Sequence, residues 1–311
     1  MKEKESFHEG EIAVQERAGE RAIALRNGGG LGQVIMPGAL PFLAEQRLIA
    51  VATYDARGRV WVAAWFGPPG FVTSDDGRRV TIAGTGRDDP VSTALCEGNP
   101  AGILAIELST RKRLRINGVV ESIADDRVEI DVREAFANCP KYIQRRTVRE
   151  ADQGIPVAPV AFGRVLDDVR RAAIVRADTL FVGSVHPERG VDASHRGGAP
   201  GFVRVIGGAS LRIPDYRGNG MFQTLGNFES DARASIAVVD FVRARVLSMT
   251  GAATLRFQGE DPLHPTGGTG RYWDFELEEW CEVSMPGELS YQLLDAWRFN
   301  PPPFSDKGPG S

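Results

Sequence analysis

Apolar residues along the chain come in short runs of strand length, separated by turn-forming Gly, Pro, Asp and Asn, and the runs recur in order. Leu48-Ile-Ala-Val-Ala-Thr is matched by Leu180-Phe-Val-Gly-Ser-Val, and Val80-Thr-Ile-Ala by Leu211-Arg-Ile-Pro. "NPAGILAIEL" from Asn99 faces "SDARASIAVVDF" from Ser230. "RLRINGVV" from Arg113 faces "VLSMTGAA" from Val246, with Gly118 and Gly251 at matching places inside the runs. The tetrapeptide PGFV occurs at Pro69–Val72 and again at Pro200–Val203, an offset of about 131 residues that the other matches share to within a residue or two. "DARGRV" at Asp55 and "PERGVD" at Pro187 read as equivalent hairpin turns around Gly58 and Gly190. The chain is a duplication.

Each copy then reads strand, hairpin, strand, PGFV, strand, short helix, strand, hairpin, long strand. The short helices are expected at Pro90 to Glu97 and Met221 to Phe228. Many short strands with regular turns, and glycines where strands must bend, predict a mainly β protein made of small closed or half-open barrels. The expected division is 1–160 and 161–311. A Pro- and Gly-rich linker from about Asp152 to Val165 follows "DVREAFANCPKYIQRR", which reads as helical. In that helix Asn138 is the cap, Pro140 stands in the first turn, and Lys141 and Arg145 share a face.

Composition narrows the function. Over 311 residues the formal charge is −4, with 42% hydrophobic and 25% charged residues, so the chain is globular and has no general affinity for nucleic acid. No apolar run reaches the roughly 18 residues of a membrane span. The charged start, MKEKESFHEGE, lacks the apolar core of a signal peptide, so the expected address is cytoplasmic. Cys96, Cys139 and Cys281 have no metal-type spacing, and an odd count predicts free thiols. The four histidines are scattered, so no metal is expected. The closing DKGPGS reads as a polar tail.

Duplicated units share what the fold requires, so differences between the copies point to function. PGFV is common to both and belongs to the fold. Ser194, His195, Arg196 and Gly197 stand opposite Ala63, Ala64, Trp65 and Phe66, chemistry in one copy and apolar bulk in the other. "PDYRGNGMFQTLGN", from Pro214, faces "GTGRDDPVSTALCEGN". If the two segments lie side by side, the second copy gathers Ser194, Arg196, Arg217 and Asn219 with the backbone of Gly197, Gly198, Gly218 and Gly220. The helix beginning near Met221 then aims its N-terminus at the same spot. Guanidinium groups, free amides and a helix start make a phosphate site. The first copy offers Asp88 and Asp89 there, which repel phosphate.

These residues carry a resemblance. The strand-turn-strand-short-helix unit resembles the pyridoxamine 5′-phosphate oxidase-like flavin-binding split barrels. "FHEGE", "NCPKYIQRR", "SHRGGAPGFV" and "PDYRGNGMFQTLGN" resemble the predicted flavin-nucleotide-binding proteins of that superfamily, over His8 to about Phe299. The resemblance implies two tandem FMN-binding split β-barrels forming a pseudo-dimer, with FMN between them. It places the phosphate on Arg196 and on Asn219 to Met221. Asp215 and Tyr216 are further candidates beside them, and Gln223, Thr224 and Asn227 either hydrogen-bond the cofactor or are buried by the helix for structure. It implies an oxidoreductase acting on a small molecule whose identity it does not give, and it allows a homodimer of the tandem chain. Two other readings use the same residues: a flavin-binding or sensing protein without turnover, and a barrel recruited to another planar ligand such as haem or a deazaflavin. The first copy, without the phosphate side chains, is expected to bind no equivalent flavin.

The first copy then supplies the second wall. Arg111, Arg113 and Arg115 alternate and share one strand face, which either meets the ligand or is solvated. Asn138, Lys141, Tyr142 and Arg145 either bind an anionic substrate or the flavin, or pair with carboxylates. Two side chains are candidates for chemistry: Cys139 as a thiol near a helix start, and His195 as a proton donor or hydrogen-bonding partner. Alternation sends His195 to the face opposite Ser194 and Arg196. His8 and Glu9 are candidates for an N-terminal arm over a pocket, or for a surface cap.

Overall fold

The computed structural model describes residues 7–150, 158–259, 261 and 263–304. Three helices come first, α1 (Glu9–Arg17), α2 (Arg21–Gly28) and α3 (Leu40–Ala44). The first sheet is built from β1 (Leu48–Tyr54), β2 (Val60–Phe66), β3 (Val72–Thr73), β4 (Arg79–Ala83), β5 (Pro100–Glu107), β6 (Lys112–Ala124) and β7 (Arg127–Ala137). Helix α4 (Pro90–Ala94) lies between β4 and β5. After β8 (Arg145–Glu150), β9 (Ala161–Gly163) and α5 (Asp168–Arg176) comes the second sheet. Its strands are β10 (Thr179–His186), β11 (Gly190–Gly197), β12 (Arg204–Ile206), β13 (Ser210–Pro214), β14 (Arg233–Asp240), β15 (Arg245–Arg256) and β16 (Tyr272–Ser284). Helix α6 (Gln223–Ser230) occupies the place of α4, and β17 (Leu289–Asp295) closes the described chain by pairing with β8.

The duplication is complete at the level of hydrogen bonding. Strand order is β2-β1-β5-β6-β7-β4-β3 in the first sheet and β11-β10-β14-β15-β16-β13-β12 in the second, with β9 added against β16. Every pairing is antiparallel, and even the irregularity repeats. β6 and β7 slip register after Asn117↔Glu134, and β15 and β16 slip after Thr250↔Glu279, in both cases at the glycine, Gly118 or Gly251. The PGFV turns are also equivalent. Gly70 (φ 88) and Gly201 (φ 89) hold the left-handed conformation that a side chain would strain. They place Phe71 and Phe202 in the two barrel cores.

The apolar runs are continuous because both of their faces are buried. Ile49 and Val51 of β1 join Trp61, Ala63 and Trp65 of β2 in the first core. Leu180 and Val182 of β10 occupy the second. The alternate residues, Leu48, Ala50, Ala52, Val60, Val62 and Ala64, meet Phe181, Val185, Val191, Ala193, Ala237 and Val239 in a third apolar layer between the sheets. The two barrels therefore pack back to back, as a pseudo-dimer. No helix among the described residues is long and apolar enough to cross a membrane.

Three sequence expectations are corrected. "DVREAFANCPKYIQRR" is not a helix: it is the end of β7, a turn, and the start of β8. Val128, Ile130 and Val132 alternate inward as a strand requires. Tyr142, at φ 63, takes a left-handed conformation that a helix excludes. Asn138 consequently caps nothing, and Lys141 and Arg145 share no helical face. Helix α6 starts at Gln223 rather than Met221, because Phe222 is left-handed (φ 58), and α4 ends at Ala94 rather than Glu97. The linker is not all loop, since Ala161–Gly163 is strand β9; its residues 152–157, like the polar tail, lie outside the described residues.

Candidate functional site

At the end of β11 the two barrels enclose a cavity of about 110 Å³. Strand alternation divides the "SHRGG" side chains. Val191 and Ala193 point into the layer between the barrels, and His195 follows them, edge-on to Phe181. Ser194 and Arg196 take the other face, toward α6, where Thr224 Oγ1 meets Ser194 Oγ at 3.0 Å. β11 and β13 sit near opposite ends of the strand order rather than side by side, yet the curl of the sheet brings the loop after β13 to the same cavity. From that loop Asp215, Tyr216, Gly218, Asn219 and Gly220 line it. Gln223, Thr224 and Leu225 line it from the first turn of α6. No side chain caps that turn, so its leading N–H groups and the positive end of the helix are free for an anion.

The first barrel supplies the opposite wall, with Arg113, Arg115, Asn138, Cys139, Lys141 and Tyr142. Three guanidinium groups thus converge from two copies. Arg115 forms an ion pair with Asp192, a buried carboxylate on β11. Arg113 and Arg196 have no carboxylate partner among the described residues. Arg113 donates to the Cys139 carbonyl and lies 3.2 Å from His195 Nδ1. Arg196 reaches only the His195 carbonyl (3.1 Å) and, at 3.5 Å, Ser194 Oγ. The Nε atoms of both are sealed from solvent and unbonded. Burial, then the neighbouring Arg196, pushes Arg113 down to about 10, and burial also lowers Arg196. The nearby Asp215 offsets part of the cost for Arg196, although Arg271 already holds it at 2.9 Å.

His195 is neutral here. Burial, with Arg113 and Arg196 alongside, holds its pKa well below the usual 6.5. A guanidinium can only donate, so Nδ1 accepts from Arg113 and the ring proton sits on Nε2, which is buried without a partner. The residue is thus a hydrogen-bond donor rather than an acid at neutral pH. Cys139 lies on the wall through its own loop, not at a helix start.

The remaining sequence candidates lie elsewhere. Gly198 packs on Phe202, and Met221 joins Phe7 and Phe136 in a small core. Arg217 is not part of the lining; its carbonyl accepts from Tyr142 Oη at 3.3 Å, beside the Tyr142–Tyr216 ring pair. Arg111 and Arg145 both pair with Asp295 away from the cavity. In the first copy the equivalent place is plugged. Trp65, the counterpart of Arg196, is fully buried; its indole N–H donates to Asp89 (2.9 Å), and Arg87 lies over the ring.

No family model matches the chain, and no curated protein matches it in sequence. Solved structures do. HupZ from Group A Streptococcus is 13% identical, with a TM-score of 0.30, over 36% of this chain and 90% of its own. A Clostridium acetobutylicum protein of the pyridoxinephosphate oxidase family, related to general stress protein 26, is 10% identical, with a TM-score of 0.24, over 39% and 83%. General stress protein 26 from Bacillus anthracis is 9% identical, with a TM-score of 0.22, over 39% and 90%. The chain is similar to pyridoxamine 5′-phosphate oxidase-like split barrels. Each of these proteins matches about two fifths of it, roughly the length of one copy.

Toward the other end of β11 lies a second cavity of about 290 Å³, bounded by His8, Glu11, Asn117, Glu134, Asp192 and Asn227. Gln223 and the Arg115–Asp192 pair stand between the two spaces. This is where the N-terminal arm docks. Gly10 and Gly226 let α1 and α6 touch backbone to backbone, since a Cβ on Gly10 would sit 2.3 Å from the Gly226 carbonyl. His8 Nε2 then meets Asn227 Oδ1 at 3.0 Å, while Asn227 also donates to Asp192 (2.7 Å) and Ser184 (2.9 Å). Glu9 is exposed and takes no part. Asp192 and Glu11 were missed in the sequence. Asp192 stands opposite Trp61, so the comparison that exposed Arg196 could have found it as well.

Proposed function

We propose that the chain is an FMN-dependent oxidoreductase holding one flavin per chain, with the phosphate in the cavity between the two barrels. The carrying observation is the pair of guanidinium groups, Arg113 and Arg196, which have no ion-pair partner among the described residues and come together from different copies beside the uncapped first turn of α6. Their two positive charges match the two negative charges of a phosphomonoester, and Ser194, Gly197, Asn219 and Gly220 line the same cavity as further hydrogen-bonding partners. Flavin bound there supplies hydride or electron transfer to a small-molecule substrate.

The protein's own residues do the rest. Arg115 is kept from the phosphate by Asp192, and Thr224 ties the helix to Ser194, so the anion site is held in shape before binding. His195 presents a fixed Nε2–H donor. Tyr142 and Tyr216 narrow the entrance, at ring centroids 4.8 Å apart. Only one of the two pseudo-equivalent places is open to a flavin, because Trp65 and Asp89 occupy the other. Purified protein reconstituted with excess FMN and desalted should retain one flavin per chain, read from absorption near about 450 nm. Retention of none would overturn the reading, and retention of two would overturn the asymmetry between copies.

A further inference from the structure

The second cavity has an inverse charge problem, and the duplication shows how the chain solves it elsewhere. Glu134 on β7 corresponds to Glu279 on β16, by the shared register slip. Glu279 is neutralised by Arg59, whose Nη1 lies 2.8 Å from it. The hairpin registers move the sequence match by one residue: Tyr54↔Val60 corresponds to Val185↔Val191, so in the second copy Gly190 takes the position of Arg59 and not, as the sequence suggests, that of Gly58. Glu134 therefore faces the cavity without its arginine, held only by Asn117 at 3.0 Å.

Glu11 faces the same space. It is 6% exposed, and while Oε2 accepts the His8 N–H at 2.8 Å, Oε1 has no hydrogen-bond partner among the described residues. Arginines stand around the cavity, but none forms an ion pair with Glu11 or Glu134 among the described residues. Arg115 is spent on Asp192, Arg133 turns to Asp131 (2.8 Å), and Arg189 is exposed at the rim without an ion pair among the described residues. His8 is pushed down to about 4, chiefly by burial, and brings no charge.

We propose that this second cavity binds a cationic nitrogen group of a small molecule, a guanidinium or an ammonium, between Glu11 and Glu134. The ligand's cation takes the place that Arg59 fills in the first copy. The claim does not depend on what occupies the arginine-lined cavity, and it holds for the flavin-free protein.

The test, run at about pH 8.5 so that Glu11, which burial raises to about 7, is ionised, uses methylguanidinium and its neutral analogue N-methylurea as probes, followed by the amide resonances of Gly190 and Asp192. Methylguanidinium should bind the wild type at least about tenfold more tightly, the scale of one charge-assisted contact. Glu11→Gln with Glu134→Gln should abolish that preference. Equal binding of the two probes to the wild type overturns the proposal, as does a preference that survives in the double variant. If the double variant does not fold, Glu134→Gln alone is used, and the wild-type comparison still decides.

Discussion

Arg113 carries a cost that a bound anion relieves at neutral pH, and Arg113→Met isolates it. Its guanidinium is drawn down from 12.5 to about 10 by burial and by Arg196, a difference of roughly 3 kcal/mol between its charged and neutral forms. The group is charged in both folded and unfolded chains at neutral pH. The cost is therefore fully present below about pH 10 and is relieved only as pH rises above that value. Methionine keeps the apolar stem but removes the charge, together with the bonds to the Cys139 carbonyl and His195, worth about 1 kcal/mol each. Without ligand the variant should be more stable than the wild type, by about 1 kcal/mol in urea denaturation. With saturating FMN the order should reverse, because the wild type alone gains the full binding energy. A ligand-free variant clearly less stable than the wild type, with unchanged FMN affinity, would show that Arg113 is a structural residue and refute the reasoning.

Other consequences are open to the same methods. Trp65→Ala should cost about 3–5 kcal/mol of stability, as for other buried aromatics, while FMN affinity in the surviving folded protein stays unchanged. Burial raises Glu11 from 4.5 to about 7, so the folded state retains its proton after the unfolded chain has lost it, and this contribution to stability falls as pH rises between those values. Glu11→Gln removes that fall. Its stability relative to wild type should therefore improve by on the order of 1–3 kcal/mol between pH 4.5 and pH 8; denaturation curves giving the same difference at both pH values would contradict it. All three cysteines should titrate as free thiols under denaturing, non-reducing conditions, Cys281 only after unfolding, because burial pushes its thiol up to about 12.

Much of this was legible because duplication writes the fold twice. PGFV and the paired apolar runs reveal the common frame, and Arg196 against Trp65 reveals the difference. Arg113 and Arg115 were visible as an alternating strand face, but their meeting with Arg196 depends on how two barrels pack. "NCPKYIQRR" deceived because Pro140 after Asn138 imitates a helix start, whereas the long β6–β7 pairing and the left-handed Tyr142 override that local signal. The carboxylate cavity was hidden for a different reason. Glu11, Glu134 and Asp192 come from an arm, a first-copy strand and a second-copy strand, and no local spacing connects them. FHEGE could be read as an arm, but its glycine gains meaning only beside Gly226.

The central claim is that Arg196 grips a phosphate, and a comparison of FMN with riboflavin in Arg196→Ala tests it most directly. Flavin fluorescence titrations should show FMN weakened by about 1.5–3 kcal/mol, roughly ten- to a hundredfold, while riboflavin, which has no phosphate, binds variant and wild type alike. Equal losses for the two ligands would mean that the arginine supports the barrel and not the phosphate, and the account of the site would fail.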